Sequence, residues 1–169
     1  MKKLIHFFTL IVCSLLFFSS CGVTGSDLDF LNIIYSNSFE GAHDIEYWKG
    51  NGSITLVDDT PPRGGQLSAL ITGDVPYPHS FLRFAIPSNT QLKFEAWAKG
   101  KETGGIISLQ NITSGDQVEL AVTDRGWRIY SSQDYLSAAE GDTIQLALGT
   151  NQDTESAMLI DSLNIKSYD

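Results

Sequence analysis

The side chains best suited to do chemistry lie in a run of alternating polarity around Trp97. Over residues 91–99 the alternation places Trp97 on the same side of an extended chain as Lys93, Glu95 and Lys99, because successive side chains of a strand point to opposite faces. An indole ring beside charged groups offers an apolar surface for C–H groups and hydrogen-bonding partners for hydroxyls. This combination indicates sugar binding.

Three polar residues occupy the corresponding positions of other alternating runs: Arg83, Glu119 and Gln145. We predict that they line one concave sheet face together with Trp97. The alternative is that Trp97 packs in a second small core and that the charges are only solvated.

A second candidate set lies in loops. Tyr47 and Trp48 are adjacent, and Tyr77 and His79 lie in the proline-containing segment 75–79. Proline restricts such a loop and so lowers the entropy lost when a ligand binds. The alternative is that Trp48 belongs to the core and that Tyr77 is an ordinary exposed loop residue.

The residues needed for catalysis are scarce. Beyond residue 21 the chain has two histidines, His43 and His79, and no cysteine, so metal-site and nucleophile motifs lack their components. A glycosidase needs two carboxyl groups across a cleft, and Glu95 with Glu119 is such a pair, although no spacing specifies it. We therefore predict a protein that is not an enzyme and has no organic cofactor.

The first 20 residues have the pattern of a secretory signal: two lysines and then an apolar run over residues 4–18. Ser19 and Ser20 precede Cys21, and small residues directly before a cysteine resemble the bacterial lipobox. That resemblance implies cleavage before Cys21 and lipidation of its thiol. The alternative is an ordinary cleaved signal with a chance cysteine.

Residues 21–31 then form the lipidated cysteine and a polar tether, and residues 32–169 form the domain. Asp27 and Asp29 of the tether resemble the surface-export signal of Bacteroidetes lipoproteins. We expect an exported monomer anchored by lipid to the outer membrane, at the cell surface, where other envelope proteins are potential partners.

The charge is strongly acidic, with 20 acidic against 11 basic side chains and a formal net charge of −9. Nucleic acid requires a basic surface, so it is excluded as a partner. An acidic surface is also repelled by anionic headgroups, so lipid chains have to hold the protein to a membrane.

Beyond residue 32 the chain shows short β-branched and aromatic runs separated by turn residues, and no helical periodicity. The predicted strands are 33–35, 53–57, 67–72, 81–86, 91–99, 105–110, 117–123, 127–130, 143–148 and 157–166. A spacing of roughly ten residues between strands is typical of an all-β sandwich or barrel.

Six short motifs occur in a familiar order: Asn37-Ser38-Phe39-Glu40, Tyr47-Trp48, Gly64-Gly65-Gln66-Leu67-Ser68-Ala69, Leu92-Lys93-Phe94-Glu95-Ala96-Trp97-Ala98-Lys99, Gly126-Trp127-Arg128-Ile129-Tyr130 and Leu159-Ile160-Asp161-Ser162-Leu163-Asn164-Ile165. This order resembles that of jelly-roll carbohydrate-binding modules with the galactose-binding-domain-like fold. The resemblance implies a jelly-roll β-sandwich of two antiparallel sheets, with Trp127 rather than Tyr130 turned to the core.

The same resemblance implies a structural calcium ion between Glu40 and Asp161. A hard cation gathers carboxylate and carbonyl oxygens, and would tie the N-terminal loop to the last strand. The alternatives are two surface carboxylates, or a glutamate that caps its own turn.

The function that the resemblance implies is non-catalytic glycan binding by a membrane-anchored lipoprotein. Two alternatives stay open: an envelope protein-interaction or structural module with the same fold, and a small glycoside hydrolase.

Overall fold

The computed structural model describes residues 30–73, 80–150 and 156–168. These residues form twelve strands and one 3-10 helix, Ala42–Asp44. The strands are β1 Phe30–Asn37, β2 Lys49–Gly50, β3 Ser53–Val57, β4 Ser68–Thr72, β5 Ser80–Ala85, β6 Thr90–Lys101, β7 Gly105–Asn111, β8 Gln117–Val122, β9 Arg128–Ser131, β10 Leu136–Ala138, β11 Thr143–Thr150 and β12 Ala157–Tyr168.

The strands form two sheets, and every pairing is antiparallel. Sheet A has the order β10–β6–β12–β4–β3, with β9 also paired to β6 and β1 also paired to β12. Sheet B has the order β2–β5–β11–β7–β8. The fold is therefore an all-β sandwich, as the strand spacing predicts, and it is the jelly roll of the galactose-binding-like type that the family resemblance implies.

The core lies between the two sheets and is made by one side of each alternating strand. Phe94 of β6 and Ile165 of β12 project from sheet A, and Leu109 of β7 and Leu146 of β11 project from sheet B; all four are at most 1% exposed. Each such side chain contributes about 1.5–3 kcal/mol through its burial. The side chains between them in sequence point away from the core and form the two outer faces.

All ten predicted strands are present, and two further strands, β2 and β10, were not predicted. They have two and three residues, which is too short for alternation to be visible in a sequence. The predicted orientation of one aromatic pair is wrong. Tyr130 packs against the core beside Ala96, and Trp127 lies on the outer side of sheet A.

None of the helices in the described residues is long and apolar enough to cross a membrane. The predicted signal (residues 1–20) and Cys21 lie outside the described residues, and β1 begins at Phe30, within the predicted tether.

Candidate functional site

The structure divides the predicted sheet face between two opposite surfaces. Trp97, Lys93 and Glu95 lie on the outer face of sheet A, because the residues that alternate with them in β6 are buried in the core. Arg83 of β5 and Glu119 of β8 lie on the outer face of sheet B. The prediction that these residues share one concave face is therefore wrong, since alternation identifies the side of a strand and not the sheet that receives it.

On sheet A the polar residues around Trp97 are paired within the protein. Lys166 forms an ion pair of 3.2 Å with Glu95. The Lys93 ammonium lies 4.0 Å from the centre of the Tyr135 ring. These contacts favour a structural role for this face.

The segment between β3 and β4, residues 58–67, is held to the outer face of sheet A through Asp59. Asp59 forms an ion pair with Lys99 and accepts a hydrogen bond of 3.1 Å from Trp127 Nε1. Its backbone carbonyl accepts a hydrogen bond of 2.7 Å from Ser68 Oγ. The Lys99 hydrogen bond is the main cause that lowers the pKa of the Asp59 carboxyl below its ordinary 3.8.

The proposed glycosidase pair is also separated. Glu95 projects from the outer face of sheet A and Glu119 from that of sheet B. Packed sheets are about 10 Å apart, and both side chains point away from the sandwich. This pair therefore lacks the carboxyl–carboxyl separation of about 5–9.5 Å that glycoside hydrolysis needs.

A groove of about 1080 Å³ runs between β1, the 3-10 helix with its following turn, and β5. Its polar and aromatic lining includes Tyr35, His43, Asp44, Tyr47, Trp48, Lys49, Phe81 and Arg83. This volume is slightly above that of ordinary small-molecule sites, which measure about 300–1,000 Å³. The groove thus joins Arg83 from the predicted sheet set to Tyr47 and Trp48 from the predicted loop set.

Arg83 is held by two neighbours on sheet B. Its Nε donates a hydrogen bond of 2.9 Å to Gln145 Oε1, and Gln145 is directly opposite in the β11 register. Its guanidinium lies 5.1 Å from the centre of the Phe81 ring. Because Nε is used, the terminal nitrogens of the fork are the groups that Arg83 presents to a ligand.

The wall that carries the groove aromatics is fixed by local hydrogen bonds. Asp44 Oδ2 accepts hydrogen bonds of 2.7 Å from the Glu40 N–H and 3.1 Å from the Gly41 N–H. Asn37 Nδ2 donates a bond of 2.7 Å to the Asp44 carbonyl. Asp44 therefore closes the turn from which Tyr47 projects.

The two loop aromatics differ in exposure. Tyr47 is 73% exposed, and its hydrogen bond to Glu46 raises the pKa of the phenol. Trp48 is half-buried against the core, with its ring 6.3 Å from that of Phe39. Trp48 thus packs against the core, as the alternative interpretation expects, and also lines the groove.

Sequence reasoning missed Lys49 and did not assign Phe81 to a site. Phe81 shares the polar side of its strand with Arg83, and this alternation is a signal that identifies it. Lys49 carries no such signal, since its position depends on the pairing of β2 with Phe81 of β5. The predicted ligands Tyr77 and His79 lie outside the described residues.

Glu40 and Asp161, which we call the carboxylate pair, meet the same two-glycine segment. A side-chain carbon added at Gly65 would lie 1.5 Å from Glu40 Oε1, and one added at Gly64 would lie 2.8 Å from Asp161 Oδ2. Glu40 Oε2 accepts a hydrogen bond of 2.9 Å from the Gln66 N–H. Glu40 thus reaches across to the Gly64–Gln66 segment, while Asp44 caps the turn at Glu40.

Asp161 is 1% exposed, and its Oδ2 accepts no hydrogen bond among the described residues. Burial raises the pKa of its carboxyl; hydrogen bonds from Ser162 oppose the increase, and the charge of Glu40 adds to it. A buried carboxylate oxygen lowers the stability of the folded state unless a hydrogen-bond donor or a cation pairs with it.

The backbone around the carboxylate pair is unusual. Phe39, Arg63 and Ser162 have φ values of 55°, 65° and 49°, in the left-handed region that side chains other than glycine seldom adopt. They flank Glu40, Gly64 and Asp161. Conformations of this kind cost about 1–3 kcal/mol each and concentrate at functional sites.

The donor set of the carboxylate pair fits a hard cation completed by backbone carbonyls. Two carboxylates lie against adjacent glycines, and one buried carboxylate oxygen has no hydrogen-bond partner among the described residues; oxygen donors of this kind are the ligands that Ca²⁺ takes. Within the described ranges no group of three or more histidine, cysteine, aspartate or glutamate side chains is placed to hold a metal, so carbonyls would have to supply the remaining ligands.

No protein-family model matches the sequence, and no curated protein matches it. Among solved structures, the chain is similar to the N-terminal CBM22-1–CBM22-2 tandem of Paenibacillus barcinonensis Xyn10C, with a TM-score of 0.62 and 20% identity over 85% of this chain and 47% of that chain. This chain therefore spans about half the length of that tandem.

Two single modules are also similar. The C-terminal family 22 carbohydrate-binding module of Clostridium thermocellum Xyn10B has a TM-score of 0.59 and 19% identity, over 80% of this chain and 93% of that one. A xylan-binding domain of family 22 has a TM-score of 0.53 and 18% identity, over 80% and 94%. At these identities the likeness shows the fold, which is that of carbohydrate-binding modules.

Proposed function

We propose that the chain binds glycan in the groove and does not cleave it. The observation that carries this proposal is the combination of an exposed ring, Tyr47, with the Arg83 fork held over Phe81 at the edge of one open groove. Aromatic faces pack against the C–H side of a pyranose, and a guanidinium donates to its oxygens. The carbohydrate-binding modules that share the fold support the proposal.

The groove is favoured over the Trp97 face because its polar groups are available. On sheet A, Glu95 already forms an ion pair with Lys166, and the Lys93 ammonium already lies over the Tyr135 ring. A ligand on that face would have to compete with these contacts, whereas a ligand in the groove meets the unused nitrogens of Arg83.

A panel of immobilised polysaccharides tests the proposal. We expect the full chain to be retained on at least one of them without release of reducing sugar. Retention on none would contradict glycan binding, and release of reducing sugar would contradict a non-catalytic role.

A protein-interaction function is the second candidate, favoured by the open edge of β5. Within the described part of the chain, β2 pairs with β5 only at Ser80 and Phe81, which leaves the Leu82–Ala85 edge available to an added strand. Capture of extended peptides, with no retention on the polysaccharide panel, would favour this candidate.

We also propose a structural Ca²⁺ at the carboxylate pair and a lipid anchor at Cys21. The buried, unpartnered oxygen of Asp161 beside Glu40 supports the first. Ser19 and Ser20 directly before Cys21, after an apolar run, support the second. Lipidation would hold a glycan-binding domain at a membrane surface of the cell envelope.

A further inference from the structure

The groove collects positive charge on an acidic chain. The chain has a formal net charge of −9, yet Lys49 and Arg83 both line the groove and both are exposed. His43 lines it as well.

Among the described residues, Lys49 and Arg83 lack an acidic partner, unlike three other basic side chains. Asp59, Glu102 and Glu95 form ion pairs with the basic residues Lys99, Arg125 and Lys166. In the described residues no carboxylate lies within ion-pair distance of Lys49 or Arg83. Arg63, Lys93, Lys101 and Arg128 also lack such a partner there, but they do not line the groove.

One acid, Asp44, lines the groove beside these cations, and the other nearby acids are hydrogen-bonded elsewhere or distant. The Asp44 carboxylate accepts two backbone N–H groups, and Glu46 is bonded to the Tyr47 hydroxyl. Glu119 shares the outer face of sheet B with Arg83 but lies three strands away, a distance of about 14 Å at the usual strand spacing. Hydrogen bonds do not remove the charge of Asp44, so the lining has two cations, Lys49 and Arg83, against one carboxylate. The groove therefore has a formal excess of one positive charge on a chain of net charge −9.

The Arg83 fork is oriented before any ligand arrives. Its Nε–H donates a hydrogen bond to Gln145 Oε1, and its guanidinium carbon lies 5.1 Å from the centre of the Phe81 ring. A planar fork held in this way matches the two oxygens of a carboxylate, or two oxygens of a sulfate ester, with little further loss of side-chain entropy.

We propose that the groove selects anionic glycans, in which a uronate carboxylate or a sulfate ester contacts Arg83 and Lys49 while a sugar ring lies against Tyr47. This inference rests on the proposed function and adds the ligand class. It predicts that removing the charge of the glycan, with the backbone unchanged, removes most of the affinity.

The test compares each anionic polymer with its neutral counterpart. The probes are polygalacturonate, polymannuronate and a glucuronate-bearing xylan, each beside its carboxyl-reduced form, and dextran sulfate beside dextran. We expect the full chain to bind at least one anionic polymer about tenfold more tightly than its neutral form. We also expect this preference to weaken as salt rises from about 50 to about 500 mM. Preference for a uronate or for dextran sulfate identifies the anionic group.

Matched variants assign the effect to the groove. Arg83→Gln and Lys49→Gln are each expected to weaken binding of the anionic polymer about tenfold, and to weaken any binding of its neutral form much less, because the ionic contact is lost only with the anionic polymer. Arg128→Gln removes the same charge from exposed β9 and should bind like the wild type. Thermal melting of each variant verifies that it is folded.

Equal binding of the charged and neutral forms, or an Arg83→Gln variant that is folded and keeps full affinity for the anionic polymer, would overturn the anionic preference and leave glycan binding intact. Retention on none of the polymers would overturn both.

Discussion

Two aspartates, Asp59 and Asp161, use their carboxylates differently: the first forms bonds within the protein, and the second has an oxygen that, among the described residues, is free to bind a cation. Asp59 holds a segment to sheet A through Lys99 and Trp127, so its charge is structural. Asp161 is buried with one oxygen unpartnered, which is a stability cost that a cation would offset.

Asp59→Asn is expected to lower the free energy of unfolding by about 1 kcal/mol at neutral pH, because the charge-assisted bond to Lys99 is lost and solvent exposure keeps its value small. The folded-state pKa of Asp59 lies below its ordinary 3.8. The carboxylate therefore contributes fully to the free energy of unfolding above its ordinary pKa of 3.8, and this contribution is lost as the pH falls through the lower folded-state pKa. Denaturant unfolding across this range measures it.

The neighbouring exposed Asp58 supplies the control for this measurement, since Asp58→Asn should change stability little at any pH. A difference between wild type and Asp59→Asn that stays constant with pH would contradict the assignment.

Calcium is expected to raise the melting temperature of the wild type relative to protein in chelator, because a metal bound only by the native state stabilises it. At calcium about a hundred times its Kd the gain is about 2.7 kcal/mol. Gly65→Ala should abolish the gain, since the added methyl would occupy the position of Glu40 Oε1.

Gly126→Ala is the matched control, because a side-chain carbon there meets nothing within 4 Å. If calcium shifts neither protein, or shifts Gly65→Ala as much as wild type, the metal site is wrong.

At the scale of elements, the turn between β1 and β2 couples the carboxylate pair to the groove. Glu40 starts this turn and reaches Gln66, Asp44 closes it, and Tyr47 and Trp48 follow. One short segment thus carries a metal-ligand candidate at one end and the groove aromatics at the other.

Asp44→Ala is expected to lower stability by about 1 kcal/mol, as loss of a cap usually does, and the melting temperature by about 3 °C. Because Asp44 positions the turn, glycan affinity should fall as well. Asp134→Ala, at an exposed position, should leave both the melting curve and the affinity at wild-type values. A folded Asp44→Ala variant with unchanged melting and affinity would show that the turn does not depend on this cap.

Short β-branched and aromatic runs between turn residues were enough to predict ten strands, and alternating polarity gave the buried side of several of them, because both are local properties. Alternation failed to place Trp97 and Arg83, since the sheet that a strand joins depends on long-range pairing. The groove had no sequence signal for the same reason: it forms where β1 of one sheet and β5 of the other come together. Glu40 and Asp161 were paired only through the family resemblance, because nothing in their local sequence links them.

On the scale of the whole molecule, the net negative charge affects how the protein can associate with a membrane. Net negative charge offers no attraction to anionic headgroups, so the proposed membrane attachment would depend on the lipid at Cys21. Cys21→Ser should therefore move the exported protein from the membrane fraction to the soluble fraction and abolish incorporation of labelled palmitate. A variant that still fractionates with membranes and still incorporates label would contradict the anchor.

The central claim, glycan binding in the groove, is tested most directly by titrating the full chain and two variants with the best-retained polysaccharide. Tyr47→Ala is expected to weaken binding about tenfold through the lost ring contact, while Trp97→Ala, if folded, should bind like the wild type. Unchanged affinity in Tyr47→Ala together with loss of binding in folded Trp97→Ala would place the ligand on sheet A and contradict the account.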